Sequence, residues 1–194
     1  MQPLKERPIL FSGPMVRAIL DGSKTQTRRV VKDAQPAGIG RCHWSNTGWA
    51  HLRLSGGCSC QPVHCPRGTP GDRLWVRETW AHERDGTGCP DDTGVLYRAT
   101  DPGWDDEGTG LRWRPSIFMP RAASRILLEI TDVRVQRLQG ISDEDARAEG
   151  YDRSHAFPRE WFALLWERIH GPGSWHANPW VWAITFQRLE PCNP

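Results

Sequence analysis

The fifteen residues from Ser124 to Leu138, "SRILLEITDVRVQRL", constrain this chain most. Ile, Leu, Val and Thr recur along them, and no Gly or Pro interrupts them. β-Branched side chains are stiff at χ1 and pack well on a pleated surface. The stretch predicts a strand long enough to bend or to pair with two neighbours. "PWVWAITFQRL", from Pro179 to Leu189, predicts a second, buried strand that closes the chain. "RPILFS", "KTQTRRVV", "GDRLWVRETW" and "VLYRAT" predict shorter strands. In "GDRLWVRETW", Leu74 and Val76 alternate with Trp75, Arg77 and Thr79.

Three helices fit between these strands. "GPMVRAILDG" has Pro14 at its start, Gly22 as its stop and an apolar face of Val16, Ile19 and Leu20. "SDEDARAEG" has Ser142 as N-cap, acids at 143–145 to complement the first turn, and Gly150 to stop it. "PREWFALLWERIHG" starts at Pro158, with Trp161, Leu164, Leu165 and Ile169 as the expected buried stripe. Strands and helices do not alternate regularly. That predicts a compact α+β domain or a small β-barrel with helices on its flank. The 194 residues suit one domain. It carries two long loop insertions, about 33–66 and 82–115. The first holds a hairpin turning near Asn46–Gly48, and 82–94 reads as a polar loop.

Composition excludes little. Lys+Arg at 25 against Asp+Glu at 23 gives a formal charge of +2, too balanced to argue nucleic-acid binding from charge alone. Charge is uneven locally: Arg17 to Lys32 holds five basic residues and one acid, and Asp91 to Glu107 is acidic. Tryptophan is in excess, with 11 Trp to 5 Phe and 2 Tyr. Most belong in packing, and a minority could stack on a base. No signal-peptide pattern and no apolar run of membrane length is present, so the expected location is cytoplasmic. In a reducing compartment the six Cys are expected to be free thiols or metal ligands. "CSCQPVHC" brings Cys58, Cys60, His64 and Cys65 together, with Cys42 upstream. A structural zinc is one reading and a loop of free thiols the other, since Cys-x-Cys is tighter than the usual zinc knuckle.

"DGSKTQTRR", Asp21 to Arg29, concentrates donors and potential nucleophiles behind a glycine. It reads either as a solvated turn entering an edge strand or as a site for an anionic or base-like ligand. A threonine hydroxyl is a poor nucleophile until a neighbour takes its proton, and a lysine can do so when burial or nearby cations lower its pKa. Lys24 and Thr27 are an odd number apart, so an ideal strand would turn them to opposite faces. They cooperate only if Lys24 sits in the turn after Gly22. Two further groups are candidates for holding a ligand. Trp75, Arg77 and Glu78 could stack on and hydrogen-bond a nucleobase; a barrel strand explains Leu74 and Val76 fully and these three less well. Trp175 and Asn178 lie in the loop before the last strand.

"RPILFSGPMVRAILDGSKTQTRR", "PGDRLWVRETWA", "ISDEDARAEGY" and "NPWVWAITF" together resemble the ASCH family, in the longer form common in bacteriophages and prophages. The four blocks stand in the family's order and cover about half the chain. The resemblance implies a PUA-like β-barrel, a class that commonly handles RNA or modified nucleotides. Some small bacterial members are amidohydrolases that remove the acyl group of N4-acetylcytidine. They use a lysine and a threonine in a G-x-K-T-x-T segment and a glutamate from a later short helix. Carried onto this chain, the resemblance implies Lys24, Thr27 and Glu149 as catalytic residues. Arg29 also matches, and Arg28 or Arg29 would bind the carbonyl or an anion. The partner is expected to be a nucleoside, RNA or modified DNA. A non-enzymatic reader and a ribonuclease are the competing expectations. Both insertions are absent from the small amidohydrolases.

Overall fold

The computed structural model describes residues 4–32, 40–45, 49–53, 60–84, 90–101 and 111–190. Among the described residues, ten strands and three α-helices follow in the order β1 (Glu6–Leu10), α1 (Gly13–Leu20), β2 (Gln26–Val30), β3 (Gly40–Ser45), β4 (Trp49–Arg53), β5 (Cys60–His64), β6 (Arg73–Arg77), β7 (Trp80–Arg84), β8 (Pro90–Tyr97), β9 (Leu127–Arg137), α2 (Asp143–Ala148), α3 (Pro158–His170) and β10 (Trp180–Leu189).

The long run after Ser124 becomes β9 and serves two pairings. It lies antiparallel to β10 over almost its whole length and to β6 at Leu127–Glu129. The register against β10 shifts between Thr185 and Phe186, where one extra residue of β9 bends the pair. These strands are the centre of a five-stranded sheet ordered β1-β6-β9-β10-β2, with β1 parallel to β6 and β2 antiparallel to β10.

Both faces of β10 are covered, which is why its sequence is an almost unbroken apolar run. Trp182, Ile184 and Phe186 join Ile9, Val16, Ile19 and Leu128 in the main core beneath α1. Val181, on the opposite face, packs with Leu138, Ala146, Trp161, Phe162 and Trp166 beneath α2 and α3.

The expected closed barrel is not found. The sheet is open, and β1 and β2 are its two edges. The two edges are joined by α1 rather than by a ladder of their own, and α1 sends Val16 and Ile19 into the main core. One side chain also links them: Arg29 of β2 donates to the Leu10 carbonyl at the end of β1, 2.9 Å away.

The two insertions hold more regular structure than expected. Residues 40–64 contain an antiparallel sheet, β3-β4-β5, rather than one hairpin. The expected turn at 46–48 lies outside the described residues. The stretch expected as a polar loop from 82 carries the ends of the β7–β8 pair. α3 also differs in its buried face. Trp161, Phe162 and Trp166 are buried, whereas Leu164 and Ile169 are about half exposed, at 53% and 52%. Among the described residues, no helix is long and apolar enough to cross a membrane.

Candidate functional site

Gly22 and Gly150 build the site before any side chain does. Gly22 ends α1 with a φ of +81°, so the chain reverses out of the helix. Lys24 then donates its backbone N–H to the Ala18 carbonyl, and Thr25 donates to the Ala148 carbonyl at the end of α2, each at 2.8 Å. Lys24 and Glu149 form an isolated antiparallel bridge. Gly150 has a φ of +94°, and a Cβ there would stand 3.1 Å from the Ala18 Cβ and 3.2 Å from the Lys24 Cβ. Any larger residue would push α2 away from Lys24.

The bridge makes Lys24 a pre-strand residue, so the alternation rule does not divide it from Thr27. Its ammonium is fully buried and donates to the Gln26 carbonyl at 2.8 Å, the Glu149 carbonyl at 2.8 Å and Glu149 Oε2 at 2.9 Å. The three donors of an ammonium are thus saturated. Glu149 Oε1 accepts from Arg28 Nη1 at 2.9 Å. Arg28 Nη1 also donates to Gln26 Oε1, and Nη2 pairs with Asp145 Oδ2 at 2.8 Å. Gln26, Asp145 and Arg134 complete the network.

Burial is the strongest influence on Lys24 and pushes its pKa down. Glu149 opposes that shift, and Arg29 and Arg28 reinforce it. Asp145 is also desolvated, yet Arg28 and Arg134 outweigh that and hold its carboxyl below the usual range. Among the described residues of this corner, the cations Lys24, Arg28, Arg29 and Arg134 are set against the carboxylates Glu149 and Asp145, a positive excess.

Thr27 is buried, at 2% exposure. Among the described residues its hydroxyl has no hydrogen-bond partner, and it has no direct bond to Lys24. It lines a small chamber of about 20 Å³ with Arg28, Arg29, Glu149, Trp166 and His170. Because β2 is an edge strand, the chamber meets side chains from both of its faces. A far larger groove, about 910 Å³, runs between α1, residues 150–155 and α3. The two share Met15, Glu149, Leu165 and Ile169, so the chamber adjoins the groove across these side chains.

The other sequence candidates fall outside the chamber. Trp75 is buried under the Arg77 guanidinium, 4.5 Å from it, and Arg77 donates to the Ile117 carbonyl. Glu78 is buried and takes two bonds from Arg125, at 2.9 and 3.0 Å. This cluster touches the first through one strand, since Arg77 is the register partner of Leu10, which accepts from Arg29. Trp175 packs on Phe162, and Asn178 uses its side chain to accept from the Gln139 N–H. Both brace the entry to β10.

Of the zinc candidates, the side chains of Cys42, Cys58 and Cys60 lie outside the described residues. His64 is exposed, and Cys65 is a buried free thiol whose pKa burial raises. Among the described residues, no group of three or more His, Cys, Asp or Glu is placed to hold a metal.

Sequence reasoning missed Trp166, His170 and Asp145. The first two had a readable signal: Phe162, Trp166 and His170 recur every fourth residue and so share one face of α3. His170 lies over Trp166 with ring centroids 4.1 Å apart, and burial, then Arg29, lower its pKa. Asp145 is hidden by its second role, because its N–H also donates to the Ser142 cap hydroxyl.

No family model and no curated protein matches the chain. Among solved structures it is similar to protein EF3133 from Enterococcus faecalis V583, assigned to the family DUF984. The two are 12% identical, with a TM-score of 0.41 over 97% of this chain and 83% of the other.

Proposed function

We propose that the protein hydrolyses the N4-acyl amide of a cytidine derivative, with Thr27 as nucleophile, in an ASCH-like fold whose coiled open sheet corresponds to a PUA-like barrel. One observation carries the reading: the unpartnered Thr27 hydroxyl shares its chamber with Glu149, the carboxylate that holds both Lys24 and Arg28. The groove has the volume of an ordinary small-molecule site, about 300–1,000 Å³, so the sugar and base fit there. The chamber is large enough for one or two waters and so for the reacting oxygen alone. Met15, Leu165 and Ile169 stand between the two and must give way as the acyl group enters.

In the first step the Thr27 Oγ attacks the acyl carbon. Lys24 first passes one ammonium proton to Glu149 Oε2, its present acceptor, and the amine so formed takes the Thr27 hydroxyl proton. Collapse breaks the C–N bond, and the leaving amine takes a proton from the Lys24–Glu149 pair. Water then cleaves the threonine ester, releasing a carboxylic acid and restoring the hydroxyl. Arg28 and Arg29 neutralise charge at the acyl oxygen.

The saturation of the Lys24 ammonium favours a second reading, a non-enzymatic reader of RNA or modified DNA through the same pocket. Chromatography of N4-acetylcytidine incubated with the protein separates these. Release of cytidine, lost in Lys24→Met, is the expected result. Absence of turnover by micromolar enzyme would defeat the amidase. Labelled RNA and DNA run in parallel would then distinguish retardation, for a reader, from cleavage, for a nuclease.

A further inference from the structure

Two buried donors on the chamber wall have nothing to donate to. Arg28 Nε and Trp166 Nε1 are without a hydrogen-bond partner among the described residues, and both residues line the chamber with Thr27. A buried polar hydrogen left unmade costs about 1–3 kcal/mol, so a folded protein normally satisfies it. Other buried donors here are also unpartnered, Trp80 and Trp180 among them, but they do not share this chamber. The Arg29 guanidinium makes one hydrogen bond, to Leu10, and adds positive charge to the same wall. Residues from different elements that carry two unpartnered N–H donors, a guanidinium and a free hydroxyl thus line one space of about 20 Å³.

We propose that this chamber is an oxyanion pocket: the Arg28 Nε–H and the Trp166 Nε1–H receive the oxygen of a short carboxylate or acyl group beside Thr27. The role given to Trp166 rests on the acyl-hydrolysis reading, whereas the pocket's affinity for a carboxylate does not. The pocket also sets specificity. A chamber of about 20 Å³ takes the acyl oxygen and little more, so bulky acyl groups are excluded. The competing occupant is a single water, which could accept from the two donors and donate to Glu149 or Thr27.

The experiment has two arms. In the first, the indole resonance of Trp166 is followed in the ¹⁵N-labelled wild-type protein during titration with sodium acetate. Sodium tetrafluoroborate, a poor hydrogen-bond acceptor of equal charge, is the control at the same ionic strength. The resonance is assigned through contacts to its own ring, so no variant has to fold. A saturable downfield shift with acetate and none with tetrafluoroborate is expected. An indole that ignores acetate overturns the carboxylate site and leaves a water in its place. In the second arm, Trp166→Phe is expected to lower kcat on N4-acetylcytidine by about 100-fold while KM changes little. Should Trp166→Phe not fold, Thr27→Val in the titration arm serves instead, with the acetate shift retained because the two donors remain. Turnover by wild type that survives Trp166→Phe overturns the pocket alone. An acetate-responsive indole without wild-type turnover overturns the amidase alone.

Discussion

Two carboxylates of this protein are buried in nearly equal measure, Glu78 at 2% and Glu149 at 4% exposure, and they are held in opposite ways. Glu78 is matched by one arginine, Arg125, in a two-pronged pair, and Arg125 keeps 26% of its side chain exposed. The pair is self-contained: one negative charge, one positive charge, and a wet side through which the arginine is hydrated. Glu149 holds two cations that are themselves fully buried, Lys24 and Arg28, and borders both the chamber and the groove. A single exposed arginine is enough to keep a carboxylate folded. A second buried cation, a nearby hydroxyl without a partner and an adjoining space exceed what folding requires. Buried ion pairs are weak evidence for stability, because desolvation offsets much of their attraction. The excess around Glu149 therefore points to chemistry rather than to stability.

The largest effect expected from this contrast is at Thr27. Thr27→Val removes a hydroxyl that bonds to nothing among the described residues, so stability should change by less than about 1 kcal/mol. Turnover of N4-acetylcytidine should fall by at least about 10⁴-fold, as when a nucleophile is removed. Urea denaturation and steady-state kinetics on one preparation check both halves. A Thr27→Val protein with normal turnover would return the chamber to simple packing.

Next in size is a matched pair of substitutions. Glu149→Gln leaves the buried Lys24 without a carboxylate and Arg28 with Asp145 alone, and is expected to cost about 3–5 kcal/mol, together with turnover. Glu78→Gln leaves one arginine that water already reaches, so a loss nearer about 1 kcal/mol is expected, with turnover kept. Equal losses in chemical denaturation would erase the distinction between the two carboxylates. Lost turnover in a well-folded Glu78→Gln protein would instead bring Glu78 into the site, as its sequence neighbourhood with Trp75 and Arg77 predicts.

The sequence carried most of the sheet and half of the site. β9 and β10 were legible because runs rich in β-branched residues and free of Gly and Pro have few other uses, and the helix limits were legible from Pro14, Gly22, Ser142 and Gly150. The openness of the sheet was not, since it depends on whether its two edges, β1 and β2, pair with each other, which no local pattern decides. The Lys24–Glu149 meeting spans 125 positions. A resemblance to a family could name that pair, but spacing could not. α3 was misread because its apolar residues outnumber the places in the core. Leu164 and Ile169 satisfy helical periodicity, yet both line the groove and stay half exposed. Trp166 and His170 were passed over because tryptophan and histidine near a helix end usually have ordinary packing roles.

His170 offers the smallest effect, in pH rather than in rate. Burial and the charge of Arg29 hold its folded pKa below the usual 6.5. Between that folded value and 6.5 the unfolded chain binds more protons than the folded one, so stability rises with pH across the window. Falling pH therefore withdraws stability from 6.5 downward until the folded imidazole is also charged. Asp145 does not blur this. Its folded pKa lies below 3.8, so its contribution is intact above 3.8 and is lost only as pH falls through the lower folded value. Thermal melts taken from pH 7 to pH 5 should thus decline in the wild type and decline less in His170→Gln. If the two lines run parallel, His170 gains its charge without cost, and the positive excess around Thr27 is weaker than the placement of Arg29 implies.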